Sequence, residues 1–210
     1  MLKFMPKQDP ASMLAHHQKL PRSTHVKLSK IRAACQQADW ATVHALEQQA
    51  YEQWSTTGDW WSYGVILVSL GDGVLKCQHP ARAEYFYQEA QRIFHLRVDP
   101  TQRRNEAAAT YGLALTAMLS GRRIRAIELL DRSMALLKES EEHWVMMHAN
   151  YEQADRCADK RLWIEGLATQ VMTQSQPEVE IPYGPFQRSS ERNPAARFER
   201  RVFWGTAVVN

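Results

Sequence analysis

The chain has 210 residues, 44% of them hydrophobic, and a formal net charge of +3, enough for one packed domain with tails. Its most apolar run, Val65–Leu70, falls far short of the roughly 20 residues a membrane-spanning helix requires. Met1–Lys7 lacks the apolar core of a signal peptide, so a cytoplasmic protein is expected. Cys35, Cys77 and Cys157 are scattered and form no CxxC pair, which argues against a zinc site or a disulfide framework and for small buried side chains.

Charge is unevenly placed. Between Met1 and Arg32 the cations Lys3, Lys7, Lys19, Arg22, Lys27, Lys30 and Arg32 face Asp9 alone, a balance of +6 that leaves −3 for the remainder. Residues 1–24 carry Pro6, Pro10 and Pro21 without a sustained period and read as a basic arm. Such an arm suits an acidic partner, a nucleic acid or an anionic surface, or is simply solvated.

The first helix is expected from His25, with Leu28, Ile31 and Ala34 or Cys35 on one stripe. Asp39 then caps a second helix carrying Val43, Leu46, Ala50 and Trp54. Thr56-Thr57-Gly58-Asp59 is turn chemistry, and Asp59 caps a helix opening at Trp60 and running through Gly64, Leu67, Gly71 and Val74. Each internal glycine costs about 1 kcal/mol against alanine, a loss that close helix packing would offset. Gln78-His79-Pro80 ends that helix and starts the next, whose inner face holds Ala83, Phe86, Tyr87, Ala90 and Ile93.

After a connection at Val98–Thr101, a helix over Asn105–Leu119 places Leu113, Ala114 and Ala117 inward, and Gly121 supplies a left-handed C-cap. Arg122–Leu137 follows with Ile127, Leu130, Met134 and Leu137 in register. A further pair is expected, one helix opening at Glu141-Glu142 with a stripe of Trp144, Met147, His148, Tyr151 and Ala154. The other is capped by Asp159 and contains Trp163, Leu167 and Val171. Val43, Ala83, Ala126 and Ile164 are taken as equivalent points of the four second helices. Residues 174–210 change character, with Pro177, Pro182, Pro185 and Pro194 among Tyr183, Phe186, Phe198, Phe203 and Trp204. Such a tail either packs back on the helices or orders on a partner.

The centre repeats. Leu70-Gly71, Val74, Ala83, Tyr87 and Ala90 recur 43 residues later as Leu113-Ala114, Ala117, Ala126, Leu130 and Ser133. On these residues the chain resembles the tetratricopeptide repeat family, whose pattern places Leu-Gly on the first helix of a hairpin and small and aromatic residues on the second. The family period is about 34 residues, whereas here the spacing is nearer 40, as in its longer-helix variety. The resemblance implies an all-α fold, a right-handed α-solenoid of about four helical hairpins over 25–173 with irregular arms at 1–24 and 174–210.

It also implies a concave face, formed by the first helix of each hairpin, that binds a peptide or a partner helix. Carried onto this sequence, exposed positions there are Val68, Asp72, Leu75, Lys76, Ala108, Tyr111, Leu115 and Met118. This set is mostly apolar and lacks the lysine and asparagine clamp that some members use for a terminal carboxylate.

Reaction chemistry is not expected. His16-His17 has no third ligand, HExxH is absent, Gly71-Asp72-Gly73 lies in a helix without a following Gly-Lys-Ser/Thr, and no nucleophile elbow occurs. No metal or cofactor is anticipated. Lys3, Lys7, Arg103, Arg104, Arg122, Arg123, Arg197, Arg200 and Arg201 are candidate contacts for an anionic partner. In the tail, Arg188, Arg192, Arg197, Arg200 and Arg201 interleave with aromatics, a mixture suited to stacking on bases. The expected role is a noncatalytic scaffold or adaptor that docks a protein in its groove. A nucleic-acid-associated subunit is the alternative, and a regulatory module of a signalling system a weaker third.

Overall fold

The computed structural model describes residues 22–96 and 103–173, and among these every regular element is a helix. They are α1 (Arg22–Gln36), α2 (Trp40–Thr57), α3 (Trp60–Lys76), α4 (Pro80–His95), α5 (Arg103–Leu119), α6 (Arg123–His148) and α7 (Tyr151–Thr173). Consecutive helices pack together along the whole series, and α1 also packs on α3 and α3 on α5. None is long and apolar enough to cross a membrane.

The turns show why the helices begin and end where they do. Ala38, Gln78 and Gly121 are left-handed, and the amides of Asp39, His79 and Arg122 donate back to Ala34 O, Val74 O and Ala117 O. This is one C-terminal motif closing α1, α3 and α5 alike, and its left-handed residue recurs at intervals of 40 and 43 residues. The next helix starts two residues later each time. Asp39 accepts from Thr42 N at 3.1 Å and Asp59 from Ser62 N at 3.0 Å, as their capping sequences predict. The Thr42 hydroxyl and amide hold the Asp39 carboxyl below the usual carboxylate range. Pro80 opens α4, where its missing N–H leaves nothing unsatisfied.

Between the turns, small residues set the helix separation. A Cβ on Gly64 would lie 2.5 Å from the Phe94 ring, one on Gly71 2.7 Å from the Tyr87 ring, and one on Gly112 2.3 Å from that same ring. Tyr87 is therefore wedged between α3 and α5. Its hydroxyl donates to Asp72 Oδ1 at 2.7 Å, and burial beside that carboxylate pushes its pKa well above the ordinary phenol value. Ala83, Phe86, Ala90 and Ile93 line the same buried face of α4, joined by Phe94.

The fourth hairpin expected from the sequence is absent. Glu141 and Glu142 lie inside α6, which runs unbroken from Arg123 to His148. Nothing between Leu137 and His148 breaks a helix, and the buried stripe of Leu130, Ser133 and Leu137 continues through Ser140 and Trp144. The stop comes at left-handed Ala149, after which Asn150 caps α7 by accepting from Gln153 N at 3.2 Å. Met147 and Tyr151 are accordingly exposed rather than core. Asp159 is interior to α7 rather than at its start, and Ile164, though buried, sits on this seventh helix rather than on the second helix of a pair.

The described residues thus form three helical pairs and one further helix. The arm boundary also moves, since α1 begins at Arg22, and buried Thr24 donates to Ser62 Oγ at 3.3 Å. Residues 1–21, the 97–102 connection and 174–210 lie outside the described residues.

Two alanine substitutions separate glycines by role. Gly112→Ala should lower unfolding stability by about 1–2 kcal/mol, overpacking against Tyr87 outweighing the helix-propensity gain. Gly166 lies on α7 with nothing within 4 Å of a Cβ, so Gly166→Ala should gain about 0.5–1 kcal/mol. Urea unfolding followed by tryptophan fluorescence measures both.

Candidate partner-binding face

The contacts of α1 with α3 and of α3 with α5 set the first helices of successive pairs side by side. On α3, Val68, Asp72 and Lys76 follow one another at four-residue steps, so they share one stripe, and all three are half-buried. On α5, Ala108 and Met118 are half-buried as well. The other three expected positions are not exposed. Leu75, Tyr111 and Leu115 are core residues, with 0%, 4% and 3% of their surface accessible. Tyr111 is covered because α7 brings Trp163 edge-on against it at 5.6 Å. Leu75 sits in the turn motif that closes α3, accepting from Gln78 N at 2.9 Å. Asp72 lies close to both Tyr87 and Tyr111, and burial, then this carboxylate, raises the Tyr111 phenol well above its ordinary value.

The candidate anion-binding arginines that are described have partners within the protein. Arg103 donates to Glu106 Oε2 at 2.7 Å and to Glu139 Oε1 at 3.2 Å. Arg104 donates to Gln153 Oε1 at 2.7 Å, joining α5 to α7. Arg122 binds both carboxylate oxygens of Glu84 on α4, at 3.2 and 2.7 Å, and Arg123 donates to the Met172 carbonyl at the end of α7. Apart from the Arg103–Glu106 pair within α5, these tie one helix to another. Lys3, Lys7, Arg197, Arg200 and Arg201 lie outside the described residues.

Two features escaped the sequence. Glu106 is 2% exposed, yet it gathers Arg103, the His95 ring at Nδ1 3.2 Å away and Arg132 at 3.8 Å, side chains from α5, α4 and α6. Beside it Gln91 donates to Thr110 Oγ1 at 2.8 Å, and Thr110 donates to the Glu106 carbonyl at 2.9 Å. The i, i+3 spacing of Arg103 and Glu106 was the available signal, but it gives no indication that two neighbouring helices add to the pair. Lys160 on α7 is the second. It is half-buried, and burial together with repulsion from Arg104 lowers its pKa to about 8.

On the flank, the Arg82 guanidinium stacks over Trp40 at 5.2 Å and His79 meets the same ring edge-on at 5.1 Å, lining an open hollow of about 320 Å³. Among the described residues no three His, Cys, Asp or Glu side chains converge as metal ligands.

Comparison with known proteins finds no matching family model, no similar curated protein and no similar solved structure.

Glu106→Gln should lower stability by about 2 kcal/mol, because a charged acceptor serving several donors is lost from a buried position. Thermal unfolding at neutral pH measures the drop.

Lys160 sets a pH dependence of opposite sense to that of a lysine whose pKa is raised on folding. Between about 8 and the ordinary 10.5 the unfolded chain binds the extra proton, so this residue's contribution to stability rises with pH across that window. The Cys35 thiol, raised to about 11 by burial, acts in the reverse direction above its ordinary 9.0. The difference between wild type and Lys160→Met therefore isolates the lysine. That difference in urea midpoint should favour the variant most at pH 7 and shrink steadily up to pH 10.5.

Proposed function

We propose that this protein is a noncatalytic helical-repeat scaffold, related in design to the tetratricopeptide repeat proteins, that docks a peptide or helix of a protein partner on the row of first helices α1, α3 and α5. The observation that supports this reading is the recurrence of one turn motif at Ala38, Gln78 and Gly121. A unit that ends in the same way at nearly constant intervals, and packs on the corresponding helix of the next unit, adds up to a stacked array. In a right-handed stack of this kind the first helices line the concave side. The half-buried positions Val68, Asp72, Lys76, Ala108 and Met118 would then supply the contact, with the apolar side chains giving area.

The alternative role, a nucleic-acid-associated subunit, draws less support from the described residues, because Arg103, Arg104, Arg122 and Arg123 already bind protein groups. A cytoplasmic location remains part of the proposal.

A photo-crosslinking amino acid at Val68 or Met118 should capture a discrete protein in extracts of the source cells. The same label at exposed Glu128 on α6 should capture little. Val68→Glu combined with Met118→Glu should weaken that capture at least tenfold while the helical circular-dichroism signal is kept. Equal labelling from both faces, or capture undiminished by the double variant, would remove the assigned surface.

A further inference from the structure

We propose that Cys35 and Cys77 are a thiol pair that closes reversibly into an intramolecular disulfide when the protein meets a peroxide, fastening α1 to α3. Cys35 lies in the last turn of α1 and Cys77 caps α3, and these two helices pack together. The Cys77 thiol is directed at the Cys35 carbonyl oxygen, with Sγ 3.0 Å from it. Standard bond lengths then place the Cys77 sulfur within about 5.8 Å of the Cys35 Cα. Disulfides bridge Cα separations up to about 6.8 Å, and closing the bond here requires a change of side-chain rotamer together with whatever shift of the α1 end brings the two Cα atoms within that limit.

Gly73 gives an independent measure of how Cys35 is seated. A Cβ added there would meet the Cys35 sulfur at 2.5 Å, so that sulfur rests on the α3 backbone. Gly73 lies one turn before Cys77, and residues four apart share a helix face. Both sulfurs therefore occupy the same α1–α3 seam. Cys157 stands apart on α7, where its thiol contacts Ser140 Oγ at 3.7 Å in the core.

The two thiols differ in access, and this assigns their roles. Cys77 is partly exposed and Cys35 is buried. Burial and the neighbouring Cys77 push the Cys35 thiol up to about 11, so it stays protonated and is a poor first nucleophile. Cys77, as the thiolate, attacks one peroxide oxygen. The O–O bond breaks, a C–S–OH sulfenic acid forms, and the departing hydroxide leaves as water with the proton that the thiol released. Cys35 sulfur then attacks Cys77 sulfur, forming the S–S bond, and its proton departs with the sulfenic hydroxyl as a second water. Two thiols have given two electrons to one peroxide. A small-molecule dithiol reverses the change by exchange.

The test uses the full reduced chain with a tenfold excess of hydrogen peroxide, followed by alkylation, digestion without reductant and mass spectrometry. One linked peptide pair joining Cys35 to Cys77 is expected, with Cys157 alkylated, helical circular dichroism retained and full reversal by dithiothreitol. Cys35→Ser should instead accumulate Cys77 sulfenic acid, trapped by dimedone, and Cys35→Ala repeats the test should serine disturb the core. Cys77→Ser should slow oxidation of Cys35 at least tenfold. A Cys77 that stays reduced, a link to Cys157, links only between chains, loss of the helical signal on oxidation, or unchanged Cys35 oxidation in Cys77→Ser would each overturn the proposal.

Discussion

One ring holds the centre of this molecule. Tyr87, projecting from α4, fits between Gly71 of α3 and Gly112 of α5, where neither helix could carry a Cβ without moving. A glycine inside a helix normally costs about 1 kcal/mol, and here two such losses are offset by burying one large aromatic against two backbones. The hydroxyl would be an expensive group to place so deep, but Asp72, one residue beyond Gly71, accepts from it at 2.7 Å. The next unit makes the complementary choice. Leu130 occupies the place of Tyr87, and Ala114 that of Gly71, both fully buried. The position that is glycine in one copy is thus a buried alanine in the next.

Polar ties reinforce this packing where helices change layer. Glu84 of α4 holds Arg122 at the turn into α6, Glu139 of α6 holds Arg103 of α5, and Glu141 of α6 meets Arg161 of α7 at 3.3 Å. Exposed ion pairs of this kind contribute little individually. Glu106 differs, since its carboxylate is buried between two arginines and the His95 ring, side chains from three helices. A charge there is tolerable only with those donors in place, so the site favours a single arrangement of α4, α5 and α6. The arginine clusters that stand out in the sequence as a nucleic-acid signature are, at the four described positions, largely accounted for by this cross-linking.

The parts of the fold that could be read in advance were those whose physics is local. Asp39, Asp59, Pro80 and Gly121 each act through the backbone within a few residues of themselves, and each turn falls where its chemistry required. Ala38, Gln78 and Ala149 adopt the same left-handed geometry without any side-chain signal for it, because the packed helices on either side impose the turn. This is why the break after His148 was missed and a false one placed at Glu141-Glu142, where two acids resemble the start of a helix but serve an interior face. The expected groove has a separate fault: the resemblance assigns Tyr111 to an open face, whereas α7 lays Trp163 edge-on against it. Leu75 and Leu115 illustrate a different limit, since a helical stripe shows which residues share a face and not how deeply the neighbouring helix covers it.

The unequal helix lengths follow from where the pairing ends. At 1.5 Å per residue, α6 with 26 residues is longer by nine than α5 with 17. Arg103, the first residue of α5, meets Glu139, so the part of α6 beyond that point has no length of α5 beside it. Its apolar side would face water but for α7, which turns back at Asn150 and buries Ser140 and Trp144 with Ala154 and Cys157. A sequence that continues a buried stripe past the end of its partner must be met by a returning helix of similar reach, and the 23 residues of α7 supply it. The last described layer is therefore a matched pair of long helices rather than a fourth copy of the repeat. Its length is set by the overhang of α6, and this is why the 40-residue spacing fails beyond Ala126.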